Sequence, residues 1–135
     1  MKLHLLSLTA LLPLVACTQV QSVGSCGESF CVPADAKLLG KRTPVEDFNI
    51  YQVAWRGSRF TIYEGNHPEG NDDAGGTVVG LPRNRAGTLR VGDREGSLIF
   101  DTQLDWPAYI DVMGPCPSID NCPVKSLARE ITFRT

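Results

Sequence analysis

Phe48-Asn49-Ile50-Tyr51-Gln52-Val53-Ala54-Trp55-Arg56-Gly57-Ser58-Arg59-Phe60-Thr61-Ile62-Tyr63 decides the fold of this 135-residue chain. Side chains alternate across a strand, so Phe48, Ile50 and Gln52 point one way while Tyr51, Val53 and Trp55 point the other. Both sets begin apolar, which predicts a strand covered on both faces for part of its length. Arg56-Gly57-Ser58 reads as a tight turn, and Arg59–Tyr63 is rich in β-branched and aromatic residues. The stretch is a β-hairpin.

Working outward, the same logic gives short strands at Thr77–Leu81, Thr88–Val91 and Ser97–Asp101, the last two joined across Gly92-Asp93-Arg94-Glu95-Gly96. Ala108–Met113 and Leu127–Phe133 complete the set. Repeated short strands with turn signals between them predict an all-β fold, a small antiparallel sandwich or barrel. One minor helical element is expected at Pro33–Gly40, where proline opens and glycine closes a run of helix formers. Glu64–Gly76, crowded with turn formers and without apolar periodicity, reads as an exposed loop.

The N terminus has its own pattern. Lys2 and His4 precede an apolar run, Leu5–Leu14, that falls short of the roughly 20 residues needed to span a bilayer. Leu14-Val15-Ala16-Cys17 then resembles the lipobox of bacterial lipoprotein precursors. That resemblance implies a signal peptide at 1–16, a diacylglyceryl group on the Cys17 thiol, and cleavage after Ala16 with acylation of the new amine. Two or three acyl chains make a durable anchor, since each buried methylene contributes about 0.8 kcal/mol. Thr18 stands where an aspartate would favour inner-membrane retention, so the implied location is the outer membrane, facing the periplasm.

Removing residues 1–16 leaves 119 of 135 residues, enough for one domain. The expected division is a lipidated tether at 17–25 followed by a single β-rich domain at 26–135. The mature chain retains 12 of the 13 Lys and Arg, having lost Lys2, against 15 Asp and Glu, a net charge of −3. That acidity argues against general nucleic-acid binding.

Cys26, Cys31, Cys116 and Cys122 remain once Cys17 is assigned to lipid. An even count in an exported chain reads as two disulfides, with three possible connectivities. Local pairing is favoured, because each pair is close in sequence and flanked by turn formers. A closed loop of about six residues contributes roughly 2 kcal/mol, against about 4 to 5 for a bridge across the domain. The spacings C-x4-C and C-x5-C do not suit zinc or a redox dithiol.

Candidates for chemistry are sparse. His67, the only mature histidine, lacks a G-x-S-x-G elbow or partner histidines and reads as a turn residue before Pro68. Glu64, Asn66, Glu69, Asn71, Asp72 and Asp73 offer oxygen donors but not the spacing of a calcium loop. Arg83, Arg85, Arg90 and Arg94 form a basic segment able to clamp phosphate or carboxylate. Asp101, Asp105 and Asp111 fall near expected strand ends, where a carboxylate-dependent hydrolase could display its acids. Trp55, Tyr51, Phe48, Phe60 and Tyr63 read as core or cross-strand partners, and Trp106 as the exposed aromatic.

The expectation is a membrane-anchored, non-enzymatic envelope module with no cofactor or metal, binding another envelope protein or cell-wall material. Small exported lipoproteins that inhibit lysozyme are similar in size, anchoring, disulfides and β content, which makes a hydrolase inhibitor the alternative. A hydrolase using paired acids is the third reading.

Overall fold

The computed structural model describes residues 23–45, 47–68 and 75–134. The expected signal peptide, Cys17 and most of the expected tether lie outside these residues. The larger of two antiparallel sheets has seven strands: β3 (Ala36–Val45), β4 (Phe48–Trp55), β5 (Ser58–Gly65), β6 (Gly76–Leu81), β7 (Arg85–Gly92), β8 (Glu95–Asp101) and β9 (Tyr109–Pro115). Their order is β3-β4-β5-β9-β8-β7-β6. The chain thus builds one meander, crosses to the far edge, and returns by a second meander that ends between β5 and β8. A smaller sheet holds β1 (Val23–Cys26), β2 (Phe30–Pro33) and β10 (Thr132–Phe133), in the order β1-β2-β10.

The quoted hairpin is present, with Val53 opposite Phe60 and Trp55 opposite Ser58. Its two-residue turn is Arg56-Gly57, at φ 47° and 77°. Positive φ at both central residues is what a turn matching strand twist requires. Asp93-Arg94, at φ 50° and 66°, repeats the device between β7 and β8. Pairing therefore continues to Gly92 and Glu95, and the expected five-residue connection shrinks to two residues.

Alternation sorts the large sheet into two faces. The inner face carries Tyr51, Val53, Phe60, Ile62, Leu89, Leu98, Phe100, Ile110 and Val112, all buried. The small sheet and one helix, α1 (Pro123–Glu130), cover it: Phe30 meets Tyr51 edge-on at 5.1 Å, and Val124, Leu127 and Ala128 are buried in the same core. The architecture is the expected small all-β one, a sandwich-like pair of layers with a helix.

Both disulfides are local, Cys26–Cys31 and Cys116–Cys122. The first crosses β1 and β2, where the two residues are cross-strand partners. The second closes the loop that delivers the chain from β9 to α1.

Three expectations are corrected. Pro33–Gly40 is not helical: Pro33 ends β2, and Ala36 onward pairs with β4, Ala36 opposite Trp55. Of the expected strand Leu127–Phe133 only Thr132–Phe133 is one, because Val124, Leu127, Ala128 and Ile131 share a helical stripe facing the core, with Pro123 suited to the first turn. β1 also takes in Val23–Ser25, which the sequence reading places in the tether. Among the described residues no helix is long and apolar enough to cross a membrane.

Candidate functional site

The outer face of a sheet covered on one side is normally polar. Here it carries a cleft of about 310 Å³ lined by Phe48, Ile50, Tyr63, His67, Asp111 and Met113. Pairing explains the gathering. Tyr63 on β5 is opposite both Ile50 on β4 and Asp111 on β9, while Thr61 is opposite Met113. Asp111 is also opposite Ile99 on β8, which sets its carboxyl at the middle of the sheet and only 4% exposed.

The walls are fixed by their neighbours. Phe48 stacks on Tyr63 with centroids 5.4 Å apart, and the Tyr63 hydroxyl accepts the His67 amide at 3.0 Å. Gly65 makes this possible: a Cβ there would stand 2.6 Å from both Phe48 Cβ and the Tyr63 hydroxyl oxygen. The Tyr63 ring therefore lies along its own strand, over the glycine.

At the floor, Ser97 Oγ donates to Asp111 Oδ1 at 2.8 Å. Burial pushes the Asp111 pKa up to about 6, opposed by that hydrogen bond and by the charge of Arg90. The group is thus an anion at pH 7.5 and mostly neutral at pH 5. Ser97 occupies Oδ1 and leaves Oδ2 for whatever enters the cleft. A carboxyl with displaced pKa in a mainly apolar cleft has the form of a binding site.

The sequence treated His67 and Asp111 separately, and the fold brings them to one cleft. Their arrangement is not a triad, because Ser97 bonds directly to the carboxylate and not through the imidazole. Asp111 is mid-strand, not at a strand end. Asp101 shares its face, diagonally placed, but the Asp101 carboxylate accepts the Gln103 amide at 2.6 Å and does not line the cleft. Asp105 is itself exposed, on the loop that follows β8.

The four arginines are spread along β7 and its flanking turns. Arg83 lies 6.0 Å from the Phe133 ring centre, Arg85 Nε donates to the Asp101 carbonyl at 3.0 Å, and Arg94 sits in the hairpin turn. At about 3.3 Å per residue, Arg85 and Arg90 are roughly 16 Å apart along the strand. Of the set, Arg90 is the one whose charge acts on Asp111.

Glu64 is a correction. It belongs to β5, is fully buried, and takes four protein donors: Asn49 Nδ2 and the Tyr51 hydroxyl on Oε1, the Ser29 amide and hydroxyl on Oε2. Its lone pairs are filled from within the fold, so it is no calcium donor. Asn66 Oδ1 accepts the Ala108 amide, and residues 69–74 lie outside the described residues. Among the described residues no three acidic, His or Cys side chains converge on a metal position. Trp106 is half-buried, not exposed.

Nothing in the local sequence marks Ser97, Met113 or Ile50 as site residues. A signal for the site was present: Asp111 is a lone acid between Ile110 and Val112 in a strand otherwise built for burial. Comparison with protein-family models, with curated proteins and with solved structures returned no match, so the functional reading rests on the geometry of this cleft.

Proposed function

We propose that the chain is a lipid-anchored, non-enzymatic binding module of the bacterial envelope, held by Cys17 at the outer membrane, and that the Asp111 cleft is where it engages an envelope partner. One observation carries the reading: apolar walls around a single buried carboxyl whose hydrogen-bonding capacity is only part used. Such a cleft supplies burial for an apolar body and one oriented polar contact. A glycosidase-like reaction needs a second carboxyl facing the first. Asp101, the nearest candidate by register, is turned to the Gln103 amide.

The test uses the full precursor in bacterial envelopes, with a photo-reactive side chain in place of Ile50. The expected result is a mature N terminus at Cys17 bearing a diacylglyceryl thioether, and one major adduct that is lost with Asp111→Asn. An unmodified Cys17 overturns the anchor. Cell-wall turnover that Asp111→Asn abolishes overturns the non-enzymatic assignment.

A further inference from the structure

The cleft constrains what it can hold more tightly than the word binding implies. Its best acceptor is Oδ2, since Ser97 already fills one of the two lone-pair sites of Oδ1. A guanidinium favours a carboxylate whose two oxygens both accept its planar fork. An ammonium is a compact point charge that one oxygen can serve. The same cleft is lined by Ile50 and Met113, apolar and half-buried, suited to a methylene stem, and by the stacked Phe48 and Tyr63 rings.

We propose that the cleft receives the side chain of one lysine from a protein partner, with the ammonium on Asp111 Oδ2 and the aliphatic stem between Ile50 and Met113. The assignment rests on the reading of the cleft as a partner site and names its occupant. Charge supports it. The mature chain is acidic at net −3, by 12 basic against 15 acidic residues, and the ion pairs among the described residues, Lys41–Glu28 and Arg56 with Asp35 and Glu130, do not involve Asp111.

The groups facing Asp111 set the conditions. Tyr63 comes from β5, Tyr109 from β9 itself, Asp101 from β8, Arg90 from β7 beyond β8, and His67 from the segment after β5. β4 contributes apolar Phe48 and Ile50, with Arg42 on β3 opposite Ile50. Arg90 is the cation able to oppose an incoming ammonium, and Asp111 is the anion at the floor that attracts it. Protonating Asp111 removes that attraction.

The mature chain is titrated, by NMR of the Met113 and Ile50 methyl groups, with three short peptides of glycines flanking lysine, arginine or Nε-acetyl-lysine. The lysine peptide is expected to shift both methyls at pH 7.5, to bind about tenfold more weakly at pH 5, and to lose about tenfold with Asp111→Asn. His67→Gln is expected to keep the pH dependence. Arginine should bind at least about fivefold more weakly than lysine, and acetyl-lysine should leave the methyls unmoved. Ser97→Ala removes the competing donor from Oδ1 and should narrow the gap between arginine and lysine, a specificity change that mere structural damage would not produce. Equal binding of lysine and acetyl-lysine overturns the proposal, as does an Asp111→Asn variant of native spectrum that binds lysine normally. If lysine fails while the Asp111-dependent photo-adduct persists, the lysine assignment falls and the binding-module reading stands.

Discussion

The Tyr51 hydroxyl oxygen lies 2.5 Å from Glu64 Oε1 and also accepts the Glu28 amide at 2.9 Å. This one phenol therefore ties the middle of the large sheet to the loop closed by Cys26 and Cys31. Ser29 completes the tie from the other side of the carboxylate. Burial first, and the neighbouring Glu64 carboxylate second, hold the phenol well above its usual pKa and keep it a donor.

Glu64→Ala would take this acceptor from the buried Tyr51 hydroxyl and Asn49 amide and from two part-buried donors of Ser29. Each unsatisfied buried group costs about 1–3 kcal/mol, partly recovered by relaxation and water, so a loss of about 3–5 kcal/mol in urea unfolding is expected. Tyr51→Phe removes one contact to Glu64 and one to Glu28 and should lose about 1–2 kcal/mol. Near-wild-type stability for both variants would remove the network from the account of the fold. Absorbance titration should show no ionisation of Tyr51 below the pH at which the chain unfolds.

Gly65→Ala tests whether the cleft depends on a missing side chain. The new Cβ would meet Phe48 and Tyr63 at 2.6 Å and the Asp47 carbonyl oxygen at 2.8 Å, so the stacked pair has to move. Overpacking of this kind costs about 1–3 kcal/mol. Near-ultraviolet circular dichroism should change as the rings shift. Gly92→Ala is the control, since a Cβ there meets nothing within 4 Å. It should alter stability by no more than about 0.5 kcal/mol.

What could be read from the chain follows from how local each signal is. The hairpin was legible because Val53, Trp55, Phe60 and Ile62 alternate inward on both sides of a turn whose glycine allows positive φ. The helix was masked by its own exit: Ile131-Thr132-Phe133 reads as strand, and Thr132–Phe133 is one, but Val124, Leu127 and Ala128 before it keep helical spacing. Pro33–Gly40 failed for the opposite reason. Its helix formers pair with β4, and tertiary pairing overrides propensity. The site was least legible, because placing Asp111 beside Tyr63 depends on β9 returning between β5 and β8. No local period encodes that insertion.

Asp111→Asn separates what the fold needs from what the cleft needs. The aspartate titrates near 3.9 when unfolded and at about 6 when folded. Below about pH 4 both states hold the proton; between about 4 and 6 the folded state holds more, so stability falls as pH rises through that window. Two units correspond to about 3 kcal/mol lost by the wild type above pH 6. Asparagine cannot ionise and escapes this loss. Glu28 and Asp35 act in the opposite sense, held low by hydrogen bonds from Lys41 and Trp55 respectively, but both proteins contain them and they cancel in the difference. Urea unfolding at pH 4, 6 and 8 should therefore show the two proteins converging at pH 4 and the variant more stable at pH 8. A variant less stable at pH 8 would mean that the ionised carboxylate is a structural asset. The expected gain, combined with loss of the photo-adduct, would mark Asp111 as a charge carried against the interest of the fold, as groups held for binding commonly are.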